Sequence, residues 1–310
     1  MNAPADEPTP AGICAIVITY NPDNASLDCI QTIAAAAVHT VIVDNRSSEP
    51  CVQKLRELSS EKVSLVENTS NTGVAAGLNL GIRTGAGKGY SWFLLFDQDT
   101  RIFPNTIQNL VQIHADCFSA LGPKLGLLGC GYHNKLHDGT VVDAAVPLSE
   151  GRLWLAKEFI ITSGTLLSLE IFKTIGPFRE DFFVDHVDHD YCLRARRKGF
   201  ILACTTLPLM IHRLGILRTK RLWPVFGPKK VLSFYSPLRR YYQLRNFLFL
   251  ARDYGDEFPQ SIHFIRDLVR REIRLALKYD DHFLRNLTAV ILAVRHSKHG
   301  IAGKYSGRIL

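Results

Sequence analysis

Asp97 and Asp99 stand two residues apart in Phe96-Asp97-Gln98-Asp99, directly after the apolar run Ser91 to Phe96. At the end of a strand this spacing lets both carboxylates face one side, because side chains alternate with a period of two. Hard oxygen ligands of this kind suit Mg2+ or Mn2+ held together with a substrate diphosphate, although the same pattern occurs in solvated turns. A second cluster, Asp185-His186-Val187-Asp188-His189-Asp190, follows the aromatic pair Phe182-Phe183 and opens a basic stretch that runs to Lys198. Three acids and two histidines in apolar surroundings predict coupled, shifted pKa values. An acid such as Asp190 in a first turn equally complements the positive end of a helix dipole. His212 closes the apolar run Leu207 to Ile211 and is either a metal ligand or a structural histidine.

These groups need a scaffold, and the sequence predicts a parallel one. Ile13 to Thr19 is a continuous apolar run that ends in Tyr20-Asn21-Pro22, Leu27 to Ala37 is helix-like, and Thr40 to Val43 is a second run that ends at Asp44-Asn45. Strand, helix, strand is the rhythm of a parallel sheet. Val63 to Val66 repeats it ahead of Asn71-Thr72-Gly73 and a helical stretch through Ile82, and Ser91 to Phe96 supplies a fourth strand. Polar residues therefore gather at strand C-termini, the edge where open α/β sheets bind ligands. Leu121 to Leu169 is rich in glycine with short apolar runs that suggest further strands, and beyond Gly215 the pattern turns helical over Leu238 to Tyr254 and Gln260 to Tyr279. Ser236-Pro237 and Pro259 supply helix-start signals there.

Several classes are disfavoured. Thr19-Tyr20-Asn21-Pro22 has no glycine where a nicotinamide enzyme carries its Gly-rich turn, and no phosphate-binding Gly-Lys-Ser/Thr loop occurs. Seven scattered cysteines form no Cys-x-x-Cys pair, and their odd number fits a reducing compartment. Met1 to Pro10 lacks a basic stretch followed by an apolar one and reads as a flexible tail; the longest apolar runs fall short of the ~20 residues a membrane span needs. With 310 residues, 46% of them hydrophobic, the chain is globular.

Charge divides the chain. Met1 to Gly215 carries 18 Lys plus Arg against 22 Asp plus Glu, whereas Ile216 to Leu310 carries 19 against 7. A basic C-terminal region faces a polyanion, either nucleic acid or an anionic membrane leaflet. Ile262, Ile265, Val269, Ile273 and Ala276 fall at helical spacing, with Arg266, Arg270, Arg271, Arg274 and Lys278 mostly off that stripe. Such a helix either lies on a membrane surface or packs its stripe on the catalytic domain. Arg239, Arg240 and Arg245, interleaved with Tyr241 and Tyr242, are suited to phosphate or acceptor contacts. Lys220, Arg221, Lys229 and Lys230 flank a Trp-Pro and Gly-Pro segment that reads as a lid.

Taken in order, these segments resemble glycosyltransferase family 2, the inverting sugar-nucleotide transferases of the GT-A fold. The resemblance spans Ile13 to about Gly215 and rests on Thr19-Tyr20-Asn21, Asp44-Asn45, Asn71-x-Gly73 with Asn79-x-Gly81, Asp97-x-Asp99, Val187-Asp188 and His212. Within the family the chain looks most like bacterial L-rhamnosyltransferases, through Asp97-Gln98-Asp99, Thr162-Ser163-Gly164-Thr165, Phe183 to Asp188, and Pro237 to Tyr242 with Arg245-Asn246. Val187 replaces the Glu of the family's Glu-Asp pair, and Leu78 stands where many relatives carry Arg, departures that fit the rhamnosyl branch.

The resemblance implies an α/β fold of GT-A type, a mostly parallel Rossmann-like mixed sheet flanked by helices, with a basic helical extension. It divides the chain into a tail (1–10), a catalytic domain (11–215, the nucleotide half about 11–100 and the acceptor half about 101–215) and a basic helical region (216–310). Thr19, Tyr20, Asn21, Asp44, Asn71, Gly73, Asn79 and Asp97 would then serve the nucleotide, while Asp97, Asp99 and His212 would hold the divalent cation. Asp188 would be the general base, and Ser163, Gly164, Asp185, His186, Arg239, Arg240 and Arg245 would position acceptor or sugar. The implied activity is inverting transfer of L-rhamnose from dTDP-L-rhamnose to a lipid-linked oligosaccharide or glycolipid, by a cytoplasmic protein held peripherally on the inner face of an anionic membrane. The alternatives are a different sugar nucleotide, or a non-catalytic polyanion-binding protein; no nucleic acid is expected, because the body is acidic and its carboxylates are clustered.

Overall fold

The computed structural model describes residues 7–135, 141–143, 151–212, 216–221, 229–307 and 309. In chain order the elements are β1 (Ile13–Thr19), α1 (Asn24–Ala36), β2 (His39–Asp44), α2 (Glu49–Glu57), β3 (Val63–Glu67), α3 (Val74–Gly87) and β4 (Trp92–Asp97). They are followed by β5 (Arg101–Ile102), α4 (Thr106–Leu121), β6 (Leu125–Lys135), β7 (Val141–Asp143), β8 (Trp154–Lys157), β9 (Thr165–Ser168), α5 (Leu169–Ile175), α6 (Val187–Arg197) and β10 (Ile201–His212). Last come β11 (Ile216–Arg221), β12 (Lys229–Phe234), α7 (Pro237–Tyr254), α8 (Pro259–Tyr279) and α9 (Phe283–Lys298). The described residues form two compact units, one of 7–134, 141–143, 151–180 and 187–212, the other of 135, 181–186, 216–221, 229–307 and 309.

The first unit is built on a mixed sheet in the order β3-β2-β1-β4-β9-β6-β10-β5, with β7 beside β6 and β8 beside β10. Its N-terminal half is parallel, as the strand-helix rhythm predicts: β1 pairs with β2 and β4, and β2 with β3. β1 and β2 are buried along their whole length and β4 up to Asp97, which is why all three read as unbroken apolar runs. β9 enters antiparallel between β4 and β6, and β10 runs parallel to β6.

Helix α3 packs on β1 and β2 through glycines at four-residue spacing. A Cβ on Gly81 would lie 2.3 Å from Ile16 Cγ2, and one on Gly85 would lie 2.9 Å from the Phe93 ring. Gly81 is thus required by close approach of helix to sheet, which holds the loop before α3 against the ends of β1 and β2. The predicted helix start at Ser236-Pro237 is present, with Ser236 Oγ accepting from Arg239 N at 3.3 Å.

Two expectations are corrected. The chain beyond Gly215 does not turn directly to helix: β11 and β12 first form an antiparallel ladder that places Lys220 opposite Lys230 and Arg221 opposite Lys229. Backbone pairing between segments separated by a turn is not a periodicity that either segment carries alone. The intervening part of the expected lid, 222–228, lies outside the described residues, as do residues 1–6 of the expected tail. The second correction concerns α8, whose stripe packs within the second unit against α7 and α9, burying Ile262, Ile265, Val269 and Ala276. Leu287 to Val294, read only as an apolar run, belongs to helix α9.

Gly81→Ala is expected to destabilise the protein by about 1–3 kcal/mol through overpacking. Gly87→Ala, at the end of the same helix with no atom within 4 Å of its added Cβ, is the control and should be neutral or slightly stabilising. Thermal unfolding midpoints of the two variants check the contrast.

Candidate functional site

The C-terminal ends of β1, β2 and β4 converge on one edge of the first unit. Thr19 Oγ1 donates to Asp44 Oδ1 at 3.0 Å, and Ser47 N donates to Asp44 Oδ2 at 2.9 Å; the Ser47 hydroxyl also donates to Oδ1. Asp44 is buried and ties β1 to the loop after β2. Asn21, left-handed at φ 47°, donates its N–H to Ser47 Oγ at 2.7 Å and accepts from Ser48 N at 2.8 Å. Tyr20 projects outward, half exposed, while its N–H donates to Gln98 Oε1 at 2.8 Å. The first loop is therefore clamped to the segment between the two aspartates.

Asn71 and Gly73 shape the turn into α3. Asn71 Oδ1 accepts from Gly73 N at 3.0 Å, and Gly73, at φ 89°, offers its carbonyl to Asn45 Nδ2 at 3.1 Å. Asn79 is fully buried: Nδ2 donates to Phe178 O at 2.9 Å and Glu180 Oε1 at 2.8 Å, and Oδ1 accepts from Phe178 N at 2.8 Å. What Asn79 does for the site it does by holding the segment at 178–180.

Asp97, Asp99 and His212 come together at the end of β4. One ligand atom from each lies within 4.8 Å of the others, and His212 Nε2 is 3.9 Å from Asp97 Oδ2. The approach is set by register: β5 pairs antiparallel with β10 so that Ile211 faces Arg101, which brings His212 beside Thr100. Thr100 Oγ1 is 3.1 Å from His212 Nδ1 and 2.6 Å from Ser163 Oγ, and Ser163 Oγ accepts from Asp97 N at 3.2 Å. When Nδ1 carries the proton, Thr100 accepts it and donates onward to Ser163, so the Nε2 lone pair faces the carboxylates. Two carboxylates and one imidazole fit a divalent cation that keeps positions for phosphate oxygens. Gly164, at φ 76°, turns the chain against Met210 and donates its N–H to Leu95 O at 2.7 Å.

Three acids close together in sequence take different partners. Asp190 is buried and accepts from Arg194 Nε at 2.8 Å, with Arg179 Nη1 at 3.6 Å. Asp188, in the first turn of α6 with a quarter of its side chain exposed, accepts from His189 N at 2.8 Å and lies 2.9 Å from His189 Nδ1. In the second unit Asp185 takes a two-point contact from Arg239, at 2.8 and 3.2 Å.

The second unit shows how the segment leading into α6 is held. Phe183, Asp185 and His186 all have left-handed φ, from 61° to 64°. Such residues cost of order 1–3 kcal/mol each and persist only where the surroundings impose them. Asn246 imposes them here: its Nδ2 donates at 2.9 Å to the carbonyls of Phe182, Val184 and Asp185. Arg245 fixes that amide by donating to Asn246 Oδ1 at 3.0 and 2.8 Å, and it also donates to Asp181 O at 3.1 Å and Gly303 O at 2.6 Å. Arg245 is thus a buried bracket. Arg240 is likewise buried, its Nη1 donating to Gln243 Oε1 at 3.0 Å and Glu272 Oε2 at 3.1 Å. Of the three arginines only Arg239 has a substantially exposed side chain.

Thr100 and Asn246 were missed as positioning residues. Both are ordinary polar residues, and their only sequence signal is adjacency, Thr100 following Asp99 and Asn246 following Arg245 in the Arg245-Asn246 pair. No disulfide joins any of the seven cysteines, and burial pushes Cys14, Cys117 and Cys192 up to about 12, so these three fill the interior as protonated thiols.

Residues 14–138 match the family model Glycosyl transferase family 2. The chain is 30% identical over 256 residues to the dTDP-rhamnosyl transferase RfbF of Shigella flexneri, covering 78% of this chain and 80% of that protein. It is 24% identical over 214 residues to the low-salt glycan biosynthesis hexosyltransferase Agl10 of Haloferax volcanii, covering 66% and 68%. Among solved structures, residues 1–349 of S. aureus TarS align with a TM-score of 0.53 at 14% identity, over 93% of this chain and 82% of that one. The same fragment in complex with UDP-GlcNAc aligns at 0.52 and 11% identity, over 93% and 81%. These likenesses show a GT-A type fold.

Thr100→Val, which removes the hydroxyl but keeps the shape, should weaken Mn2+ binding by roughly 10- to 100-fold, and Thr100→Ser should restore it. Titration followed by the free Mn2+ signal in electron paramagnetic resonance reads this directly; unchanged affinity in the valine variant would show that the ring is set by other contacts. Asn246→Ala removes a donor from three carbonyls, of which Phe182 O keeps Val184 N at 2.7 Å and Arg245 Nη2 at 3.3 Å, and is expected to lower stability by roughly 1–3 kcal/mol and to open residues 183–186 to proteolysis.

Proposed function

This chain belongs to glycosyltransferase family 2, and from that premise we propose that it transfers L-rhamnose from dTDP-L-rhamnose to a hydroxyl of a lipid-linked oligosaccharide or glycolipid, with inversion. The observation that carries the reading is the Asp97, Asp99 and His212 group at the strand edge where the Thr19 to Asn21 loop is clamped. A divalent cation, Mg2+ or Mn2+, held by these three side chains would neutralise charge on the departing nucleoside diphosphate. Thr19, Tyr20, Asn21, Asp44, Asn71 and Gly73 bind or shape the nucleotide end, and the exposed Tyr20 ring offers a face to the base.

Asp188 serves as general base in this reading. Its carboxylate takes the proton of the acceptor hydroxyl as that oxygen attacks the anomeric carbon and the bond to the diphosphate breaks. A single displacement inverts the centre and requires no second carboxylate as nucleophile. Asp185 with Arg239 positions the acceptor side, with His186 beside them in sequence. The donor sugar rests on the 30% relative, whose printed activity is dTDP-rhamnosyl transfer. The alternative donor is a different sugar nucleotide, and the two are separated by competition between dTDP-L-rhamnose and other sugar nucleotides. Among the described residues no helix is long and apolar enough to cross a membrane, and the acceptor is placed by this proposal at the inner face of one, reached peripherally.

dTDP with Mn2+ or Mg2+ should raise the unfolding temperature more than either alone, and Asp97→Ala should abolish the metal dependence. Asp188→Asn is expected to keep that nucleotide-dependent shift while transfer falls by about 10²- to 10⁴-fold. A metal-independent shift, or full activity in Asp188→Asn, would overturn the assignment.

A further inference from the structure

Helix α9 turns part of its apolar surface outward. Leu284 is 72% exposed, Ile291 59% and Leu287 36%, and at 100° per residue these positions share one face of the helix. Arg295 and Lys298, both exposed, continue the same face toward its C-terminus. The opposite face, with Asn286, Ala289 and Ala293, is the one buried against the rest of the unit. Helix α8 adds a cationic groove of about 430 Å³ lined by Arg270, Arg271 and Arg274 with Asp267 and Leu275.

We propose that the outward face of α9, supported by the arginines of α8, docks on an anionic lipid surface. The inference deepens the function proposed above, on which the choice of a membrane-borne acceptor rests, and it moves the membrane contact from α8, whose apolar stripe is buried, to α9. Two arguments select lipid over a second copy of the chain. The first is area. A helix of 16 residues presents a strip ~24 Å long and ~10 Å wide, about 240 Å², well short of the roughly 800 Å² per partner that a stable dimer needs. The second is charge. The apolar stripe is short, exposed and continued by Arg295 and Lys298, and the same unit carries on α8 a groove lined by three arginines, a pattern that complements acidic headgroups around a shallow apolar insertion. The partner is therefore a bilayer rich in acidic phospholipid.

The test is flotation of the full chain with vesicles of phosphatidylcholine alone and with 30% phosphatidylglycerol, at low and high salt. The wild type should bind the anionic vesicles, weaken at high salt and bind neutral vesicles poorly. Leu284→Ser with Ile291→Ser, and separately Arg295→Glu with Lys298→Glu, should each reduce binding at least tenfold. Both pairs lie outside the nucleotide and metal residues and should leave the nucleotide-dependent thermal shift unchanged, which also shows that they fold. Absent binding to anionic vesicles, or binding untouched by both pairs, would overturn the inference. So would a dimer in sedimentation velocity that Leu284→Ser with Ile291→Ser dissolves, since a second copy would then cover the stripe. Failure of the nucleotide shift in the wild type, with vesicle binding intact, would count against the function and not against this surface.

Discussion

The pairing of β5 with β10 is the contact on which the site depends. Asp97 and His212 are far apart in sequence, and they meet because two residues of β5 clasp the end of β10 in antiparallel register. A slip of one residue would turn every side chain of that end to the other face. His212 would then point away from the aspartates, and Thr100 would lose its ring nitrogen. The short β5 is secured from below by Phe103 N, which donates to Leu209 O at 3.0 Å, and by Thr106 Oγ1, which donates to the same carbonyl at 2.7 Å. A two-residue strand is weak in isolation, and these capping bonds make its register specific.

Behind Asp97, Asp99 and His212 lies a polar chain that is expensive to bury and costly to break. Thr100, Ser163 and His212 are all buried, so each hydroxyl and ring nitrogen must find its partner inside the protein. A hydroxyl pair is well suited to this place, because each member both donates and accepts and the direction of donation can reverse with the tautomer of the histidine. In the second unit a similar economy appears with charge: Arg245 is enclosed by Tyr241, Tyr242 and Phe249 and offers its hydrogens to main-chain carbonyls and the Asn246 amide. Guanidinium is a reasonable choice for such a position because its planar fork makes several bonds at once and its charge is weakly hydrated.

How much of this was readable in the sequence follows from what each element is buried against. β1, β2 and β4 were legible because both faces are covered and the run is continuous. β5, β8 and β9 are two to four residues long and owe their pairing to partners remote in sequence, so the apolar runs between Leu121 and Leu169 suggest strands without fixing their bounds, and nothing local announces β5. Helix α9 was obscured for the opposite reason, since it carries aliphatic residues on its outer as well as its inner face and shows no clean polar side. Asp97, Asp99 and His212 were legible by type and position after apolar runs. The roles of Thr100 and Asn246 depend on register and on backbone dihedrals, which residue type does not encode.

The three acids at 185, 188 and 190 illustrate how one short charged stretch is divided by environment. Asp185 and Asp190 face guanidinium groups, whose planar donor sets fix the geometry of those carboxylates. Asp188 instead lies against the imidazole of His189, whose ring rests 4.8 Å from that of Phe159. Asp188, with a quarter of its side chain exposed, is reachable from solvent. The two flanking acids hold the contacts that orient the loop and the helix on either side. The arrangement therefore keeps the arginine pairs where position matters and leaves the partly exposed carboxylate at the first turn of α6.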